Sequence, residues 1–75
     1  MEYRVCYKVF RAKPTVRLAL GRIFLRIGFH SEESAREHVE ETIQMVEELF
    51  PEARGTIALY DESTLEHVAG WKFGA

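Results

Sequence analysis

The side chains that could perform nucleophilic chemistry in this sequence are few. Cys6 is the only thiol, and the bases that could deprotonate it are His30, His38 and His67. A catalytic cysteine needs such a base close by to lower its pKa, and the spacing along the chain is no evidence that any of them lies beside it. Cys6 also lies in a stretch of alternating residues, where a cysteine is usually a small buried hydrophobe. We therefore expect no catalytic thiol.

One pair of residues has a spacing that metal ligands use. His38 and Glu41 are three positions apart in a segment with helical periodicity, so they share one face of the predicted helix. The same segment is rich in glutamate, and such pairs then arise by composition alone, so a solvated helix flank is the favoured interpretation. The five glycines are dispersed and form no phosphate-binding loop. The sequence predicts no metal, no cofactor and no enzymatic activity.

The remaining group of candidate residues is basic and aromatic and lies within the first 30 residues. Its members are Arg4, Lys8, Phe10, Arg11, Lys13, Arg17, Arg22, Phe24 and Arg26. Cations bind phosphates and aromatic rings stack on unpaired bases, so such a set suits nucleic acid. Arginine and aromatic side chains are also enriched in protein interfaces. We take these nine as the predicted binding residues, for a protein partner first and for nucleic acid second.

Charge is distributed unevenly along the chain, although the formal net charge is only −2. Residues 1–30 contain seven lysines and arginines against Glu2, whereas residues 31–75 contain three against eleven acidic residues. The favoured interpretation is that two oppositely charged parts of one small body attract each other. The alternative is a basic patch that receives a polyanion, or a dipolar surface that docks a second protein.

The first half of the chain predicts two strands joined by a loop. Residues 3–10 alternate between an apolar and a mixed face, which indicates a strand, and the proline-containing stretch 11–15 indicates a hairpin loop. Over residues 16–29 the apolar side chains stand first at even and then at odd positions, with Gly21 where the phase changes. One inserted residue would restore a single buried face, so we predict a long strand with a β-bulge near Gly21. Two shorter strands, broken at Gly21, are the alternative.

The second half begins with a predicted helix. Ser31 provides an N-cap, Glu32 and Glu33 follow in the first turn, and Pro51 ends the helix after Phe50. Its apolar stripe, which we expect to pack on the sheet, consists of Ala35, Val39, Ile43, Val46, Leu49 and Phe50.

Two more strands follow, over residues 56–60 and 65–73, with a polar turn between them. In the last strand His67 alternates in phase with Trp71 and Phe73, so we expect it to pack on the same face. The predicted order is ββαββ, an α+β fold in which a four-stranded antiparallel sheet has one helix packed on one face.

The 75 residues amount to one small domain, spanning residues 1–75. A single cysteine cannot form an internal disulfide, which favours a reducing, cytoplasmic location. We see no export signal, and the mostly apolar stretch 16–29 is interrupted by arginines and falls short of the ~20 apolar residues of a membrane span. We therefore expect no membrane partner.

These observations predict a non-enzymatic protein-binding module, a regulatory or inhibitory accessory protein that associates through its sheet face or a sheet edge. A sheet covered by one helix leaves its other face open, and another protein, or a second copy of the chain in a homodimer, would cover it. The alternative is a small nucleic-acid-binding domain that uses the basic hairpin of the first two predicted strands. The acidic residues 31–75 weaken that alternative, because they would repel a polyanion.

Overall fold

The computed structural model describes residues 2–74 and contains four strands and two helices. In chain order these are β1 (Tyr3–Arg11), α1 (Pro14–Ile23), β2 (Gly28–Phe29), α2 (Glu32–Leu49), β3 (Arg54–Asp61) and β4 (Glu66–Phe73). The strands form one antiparallel sheet in the order β2-β1-β3-β4. The predicted α+β class and the four-stranded antiparallel sheet are confirmed.

The middle of the sheet is formed by β1 and β3, two strands that are far apart in the sequence. Cys6 of β1 lies opposite Ala58 of β3, which in turn lies opposite Gly70 of β4. β2 has only two residues and pairs with Tyr3 and Arg4 at the start of β1. Over most of its length the sheet is therefore three strands wide.

The prediction of a long second strand over residues 16–29 is wrong, in its bulged and in its broken form. Residues 14–23 form α1, and only Gly28 and Phe29 of this stretch lie in a strand. Pro14 stands in the first turn of α1, where its fixed φ and its missing N–H are favourable. The proline that indicated a hairpin loop is thus the start of a helix.

The apolar residues of α1 follow the helical period. Leu20 is fully buried, and Val16 and Phe24, four positions on either side of it, are partly buried against the same core. Leu18 is two positions from Leu20 and is 75% exposed, whereas the two residues would share a face in a strand. The apolar residues change from even to odd positions around Gly21 because they follow the period of a helix and not the two-residue period of a strand.

The prediction of a helix that begins after Ser31 and ends before Pro51 is confirmed. The Ser31 hydroxyl accepts a hydrogen bond from the Ser34 N–H at 3.1 Å, which satisfies one of the free donors of the first turn. Glu32 and Glu33 lie in that turn, where their charge meets the positive end of the helix dipole.

The predicted stripe of α2 is buried at Ala35, Val39 and Val46. The prediction fails at Leu49, which is 59% exposed, because the 100° step of the helix places it at the margin of the stripe. Thr42, which lies between the stripe and this margin, is buried instead. The buried face of α2 is therefore rotated slightly from the predicted one.

Both helices pack on the same face of the sheet, where the sequence predicted one helix. Leu20 of α1 and Val39 of α2 belong to one buried cluster together with Val5, Ile57 and Phe73 of the strands. Within residues 2–74, the opposite sheet face has no helix on it. Of the helices within residues 2–74, neither is sufficiently long and apolar to cross a membrane.

Candidate binding face

The sheet face that points away from the helices is open to solvent, and we call it the open face. Strand alternation places its side chains opposite the buried Val5, Ile57 and Leu59. Its members are Arg4, Cys6 and Lys8 from β1, Thr56, Ala58 and Tyr60 from β3, and His67, Gly70 and Lys72 from β4. None of these nine residues is acidic.

The strand register arranges the open face in three rows across the sheet. The rows are Arg4–Tyr60–His67, Cys6–Ala58–Gly70 and Lys8–Thr56–Lys72. The outer rows carry the cations and the aromatic side chains, whereas the central row contains only small side chains. Along a strand the outer rows are four residues apart, which is roughly 13 Å. The central row is therefore the floor of a shallow trough.

The position of His67 corrects the prediction that it packs with Trp71 and Phe73. β4 has a bulge at Val68, where its register with β3 shifts by one residue and the alternation of its side chains is reversed. His67 therefore lies opposite Tyr60 on the open face, and the two rings are 5.4 Å apart in an edge-to-face arrangement.

The positive charge of the open face is only partly neutralised. Arg4 lies 3.5 Å from Glu62 in the turn after β3, and because both side chains are exposed this pair is weak. The Lys8 ammonium lies 5.4 Å from the centroid of the Phe10 ring, within the range of a cation–π contact. Within residues 2–74, neither Lys8 nor Lys72 has an ion pair. The face thus retains an excess of positive charge.

The largest group of acidic residues lies on the other side of the sheet. α2 contains seven glutamates against Arg36, which pairs with Glu32 at 2.8 Å. Since α2 covers the opposite sheet face, these carboxylates do not border the open face. α2 thus forms an acidic surface that the sheet separates from the cations of the open face.

The predicted basic hairpin does not form, because β1 pairs with β3 and the second predicted strand is largely a helix. Of the nine predicted binding residues, Arg4 and Lys8 lie on the open face. Phe10 stands at a bulge near the end of β1 and is 57% exposed. Arg11 ends β1 and lies opposite Arg54.

The other five predicted residues lie on α1 or beside it. Arg17 donates two hydrogen bonds at 3.4 Å to carbonyl oxygens near the end of β1, which fastens α1 to that strand. Lys13 lies 3.9 Å from Glu52. Arg22 is exposed on α1, where the sheet separates it from the open face. These three cations do not join Arg4 and Lys8 in one patch.

Phe24 and Arg26, the last two predicted residues, lie on the helix side of the sheet. The Phe24 ring stacks on Tyr7 at 4.2 Å and contacts Phe73 at 5.9 Å. The Arg26 guanidinium lies 4.5 Å from the centroid of the Phe29 ring. The backbone carbonyl of Arg26 accepts a hydrogen bond from the Tyr7 hydroxyl at 3.1 Å. Burial raises the pKa of Tyr7, and the Arg26 charge opposes that rise. Both residues connect α1 and the following loop to the sheet.

The residues considered for chemistry are dispersed. Cys6 is exposed in the middle of the trough, so its predicted burial is wrong; its side of β1 has no helix over it. His38 and Glu41 border a shallow cavity of about 400 Å³ on the surface of α2. Across residues 2–74, no group of three or more His, Cys, Asp or Glu side chains is placed to hold a metal ion.

His38 is a partly buried histidine against the core. Its Nε2 atom is buried and has no hydrogen-bond partner among the described residues, and its ring lies 5.1 Å from the Phe29 ring. Desolvation lowers the pKa of His38, the Arg26 charge lowers it further, and Glu41 acts in the opposite direction. The folded protein therefore resists protonation of this imidazole.

We expect the free energy of unfolding to fall as the pH is lowered through about 6.5, the ordinary pKa of histidine. In that range the unfolded chain takes up a proton on His38 more readily than the folded chain, so acid favours unfolding. Urea denaturation of the parent and of His38→Gln between about pH 7.5 and 5.5 measures the effect. The parent should lose stability relative to the variant on acidification; a constant difference would contradict the prediction.

Sequence analysis missed most of the open face. Tyr60, His67 and Lys72 contribute its aromatic rings and a cation, and Ala58 and Gly70 contribute its floor. The alternation of residues 56–60 in the sequence did indicate which residues of that strand share one face. The bulge in β4 and the pairing of β1 with β3 are long-range features that no local pattern indicates.

Comparison with known proteins assigns no family. No protein-family model matches the sequence, and neither a curated protein nor a solved structure matches it.

Proposed function

We propose that the protein is a non-enzymatic binding module that docks an acidic helix of a partner protein across its open face. The observation that carries the proposal is the trough of small side chains between two rows of cations and aromatic rings. A small domain with a binding face of this kind suits a regulatory or inhibitory accessory role. The exposed thiol of Cys6 is compatible with the reducing cytoplasm as its location.

The trough has the dimensions of a helix. An α-helix with its side chains is about 10–12 Å across, and the Cα atoms of the outer rows are roughly 13 Å apart along a strand, so a helix fits where the long cationic side chains lie along its flanks. A side chain at Gly70 would meet only the His67 ring at 3.4 Å and the Ile57 carbonyl at 3.9 Å, so the fold itself does not require glycine there. The His67 ring lies beside this position, so a second backbone can approach the floor most closely over Cys6 and Ala58.

The charges around the trough suit an acidic occupant. A helix that lies along the central row has Lys8 and Lys72 beside one flank and Arg4 and His67 beside the other. Acidic side chains on both flanks of such a helix would find cations, and complementary charge of this kind speeds association and selects partners. The glutamates of α2 do not compete, because they lie beyond the sheet.

The same charges disfavour a symmetric homodimer that packs open face on open face. In a two-fold contact the same patch meets itself, so the row of Lys8 and Lys72 of one copy would approach either the same row or the Arg4 row of the other. Like charges brought together in this way cost several kcal/mol. We therefore favour a different protein over a second copy as the occupant.

Single-stranded nucleic acid is the second candidate, and the exposed Phe10 and the neighbouring Lys8 favour it. Sequence-independent binding of single strands needs aromatic side chains on which successive bases stack. The central row has none, and the Tyr60 ring is in edge-to-face contact with His67. We rank this candidate below the protein partner for that reason.

The test is a reversal of the two lysines in one outer row. A labelled helical peptide with glutamates on both flanks of an alanine stripe should bind the parent, and fluorescence anisotropy measures its Kd. Lys8→Glu combined with Lys72→Glu should weaken binding by more than about tenfold, because two attractive pairs become repulsive. Arg22→Glu is the matched control and should bind the peptide like the parent, since Arg22 lies on the helix side.

A 15-nucleotide oligothymidylate, titrated at several salt concentrations, separates the two candidates. We expect weaker binding of the oligonucleotide than of the peptide at physiological salt. Tighter oligonucleotide binding, with a slope of log affinity against log salt near −0.7 for each phosphate contact, would replace the protein partner with nucleic acid. If the lysine reversal and Arg22→Glu changed peptide binding equally, the open face would not be the binding site of the peptide.

A further inference from the structure

A groove lies at the end of the sheet, next to the outer row Lys8–Thr56–Lys72 of the open face. It has a volume of about 650 Å³ and is formed by the end of β1, the start of α1, the end of α2 and the start of β3. Val16, Leu49 and Phe50 supply its apolar walls. This volume is in the range of small-molecule sites, about 300–1,000 Å³. The groove shares none of its residues with the nine of the open face.

Two arginines meet at this groove without a counter-charge. Arg11 and Arg54 are direct cross-strand neighbours, because the bulge at Phe10 shifts the register of β1 with β3. Both line the groove. In the part of the chain that the structure describes, neither guanidinium has a hydrogen bond or an ion pair. Like charges placed directly opposite on a sheet are destabilising, so the folded chain gains nothing from this pair by itself.

The other charged residues of the groove leave it cationic. Lys13 and Glu52 also line it, one positive and one negative, so their formal charges sum to zero. What remains is the positive charge of the two arginines beside apolar walls. Leu49, which is 59% exposed, is one of these walls and would be covered by an apolar ligand.

We propose that this groove binds a small organic anion that carries an apolar group. Its carboxylate or phosphate would lie between the guanidinium groups of Arg11 and Arg54, which match planar oxyanions by forked hydrogen bonds. Its apolar group would cover Leu49, Val16 and Phe50. Such a ligand removes the repulsion between the arginines and the exposure of Leu49 together. This ligand site adjoins the partner-binding face, because Arg54 alternates along β3 with Thr56 of the open face, but its apolar walls lie on the helix side.

Isothermal titration of the full chain with decanoate, decyl phosphate, decanol and acetate tests whether both the anion and the apolar group are needed for binding. We expect decanoate and decyl phosphate to bind, and decanol and acetate to bind at least about tenfold more weakly, because each lacks the anion or the apolar group. Arg54→Gln should weaken the binding of both anions by about tenfold or more, as the loss of a charge-assisted hydrogen bond does. Arg22→Gln, on the exposed side of α1, is the control and should bind like the parent.

Two further readouts keep the test independent of folding. Thermal unfolding of ligand-free Arg54→Gln should show a midpoint equal to or a few degrees above that of the parent, because a like-charge pair is removed. Amide chemical shifts on addition of decanoate should move at Ala12, Leu49 and Ala53, which line the groove. Equal affinity for decanoate and decanol, unchanged affinity in Arg54→Gln, or shifts confined to the open face would overturn the proposal.

Discussion

Truncation of Leu20 to alanine is expected to lower the free energy of unfolding by about 2–5 kcal/mol, the range found when a buried leucine is replaced and a cavity remains. Leu20 is fully buried and is the single residue of α1 in the buried core. A small domain has roughly 5–15 kcal/mol of stability in total, so this loss is a large part of it. Denaturation in urea, with unfolding followed by circular dichroism, measures the change.

Leu18→Ala is the matched control, since it removes the same atoms two positions away. Leu18 is 75% exposed, and its truncation should change the stability by no more than about 0.5 kcal/mol. The pair also distinguishes helix from strand. In a strand the two side chains would lie on one face and would cost similar amounts, so equal losses in both variants would contradict the helical assignment of residues 14–23.

The segment from residue 14 to residue 29 shows where sequence reasoning failed. Its apolar residues are dense enough to satisfy the strand period in two pieces and the helical period in one. Pro14 is compatible both with a loop and with the first turn of a helix, and Gly21 is tolerated in a helix as well as at a bulge. The burial of Leu20 in the core distinguishes the helix from the strand, and this tertiary contact cannot be read from the local sequence.

The parts that sequence reasoning predicted correctly are those whose signals are local. β1 alternates over its whole length, and α2 combines a serine N-cap, acidic residues in the first turn and a proline just after its end. Each of these signals comes from residues within one turn or one strand. They sufficed for the α+β class and for the helix that covers the sheet.

The candidate site was predicted only in part, because pairing between strands is not a local property. Arg4 and Lys8 belong to the open face as a consequence of the alternation in β1, which the sequence shows. Their neighbours on the face come from β3 and β4, more than 40 residues away. The bulge in β4 then moves His67 to the open side, against the simple alternation of that strand.

Substitution of Gly55 by alanine is expected to destabilise the fold by about 3 kcal/mol, at the upper end of the usual cost of overpacking. Gly55 is buried in β3, between Val9 of β1 and Phe73 of β4. A Cβ atom there would overlap the backbone carbonyl oxygen of Lys8 and the ring of Phe73. The carbonyl belongs to the sheet backbone and the ring is held in the core, so neither can move aside cheaply.

Gly21→Ala adds the same methyl group at a site with free space and serves as the control. No atom lies within 4 Å of the added carbon there, and Gly21 is exposed within α1, where alanine is favoured over glycine by up to about 1 kcal/mol. Urea denaturation should therefore move the two variants in opposite directions from the parent. If Gly55→Ala unfolds at the parental urea concentration, the close contact of β1, β3 and Phe73 at this point is incorrect, and the register that builds the open face is in doubt with it.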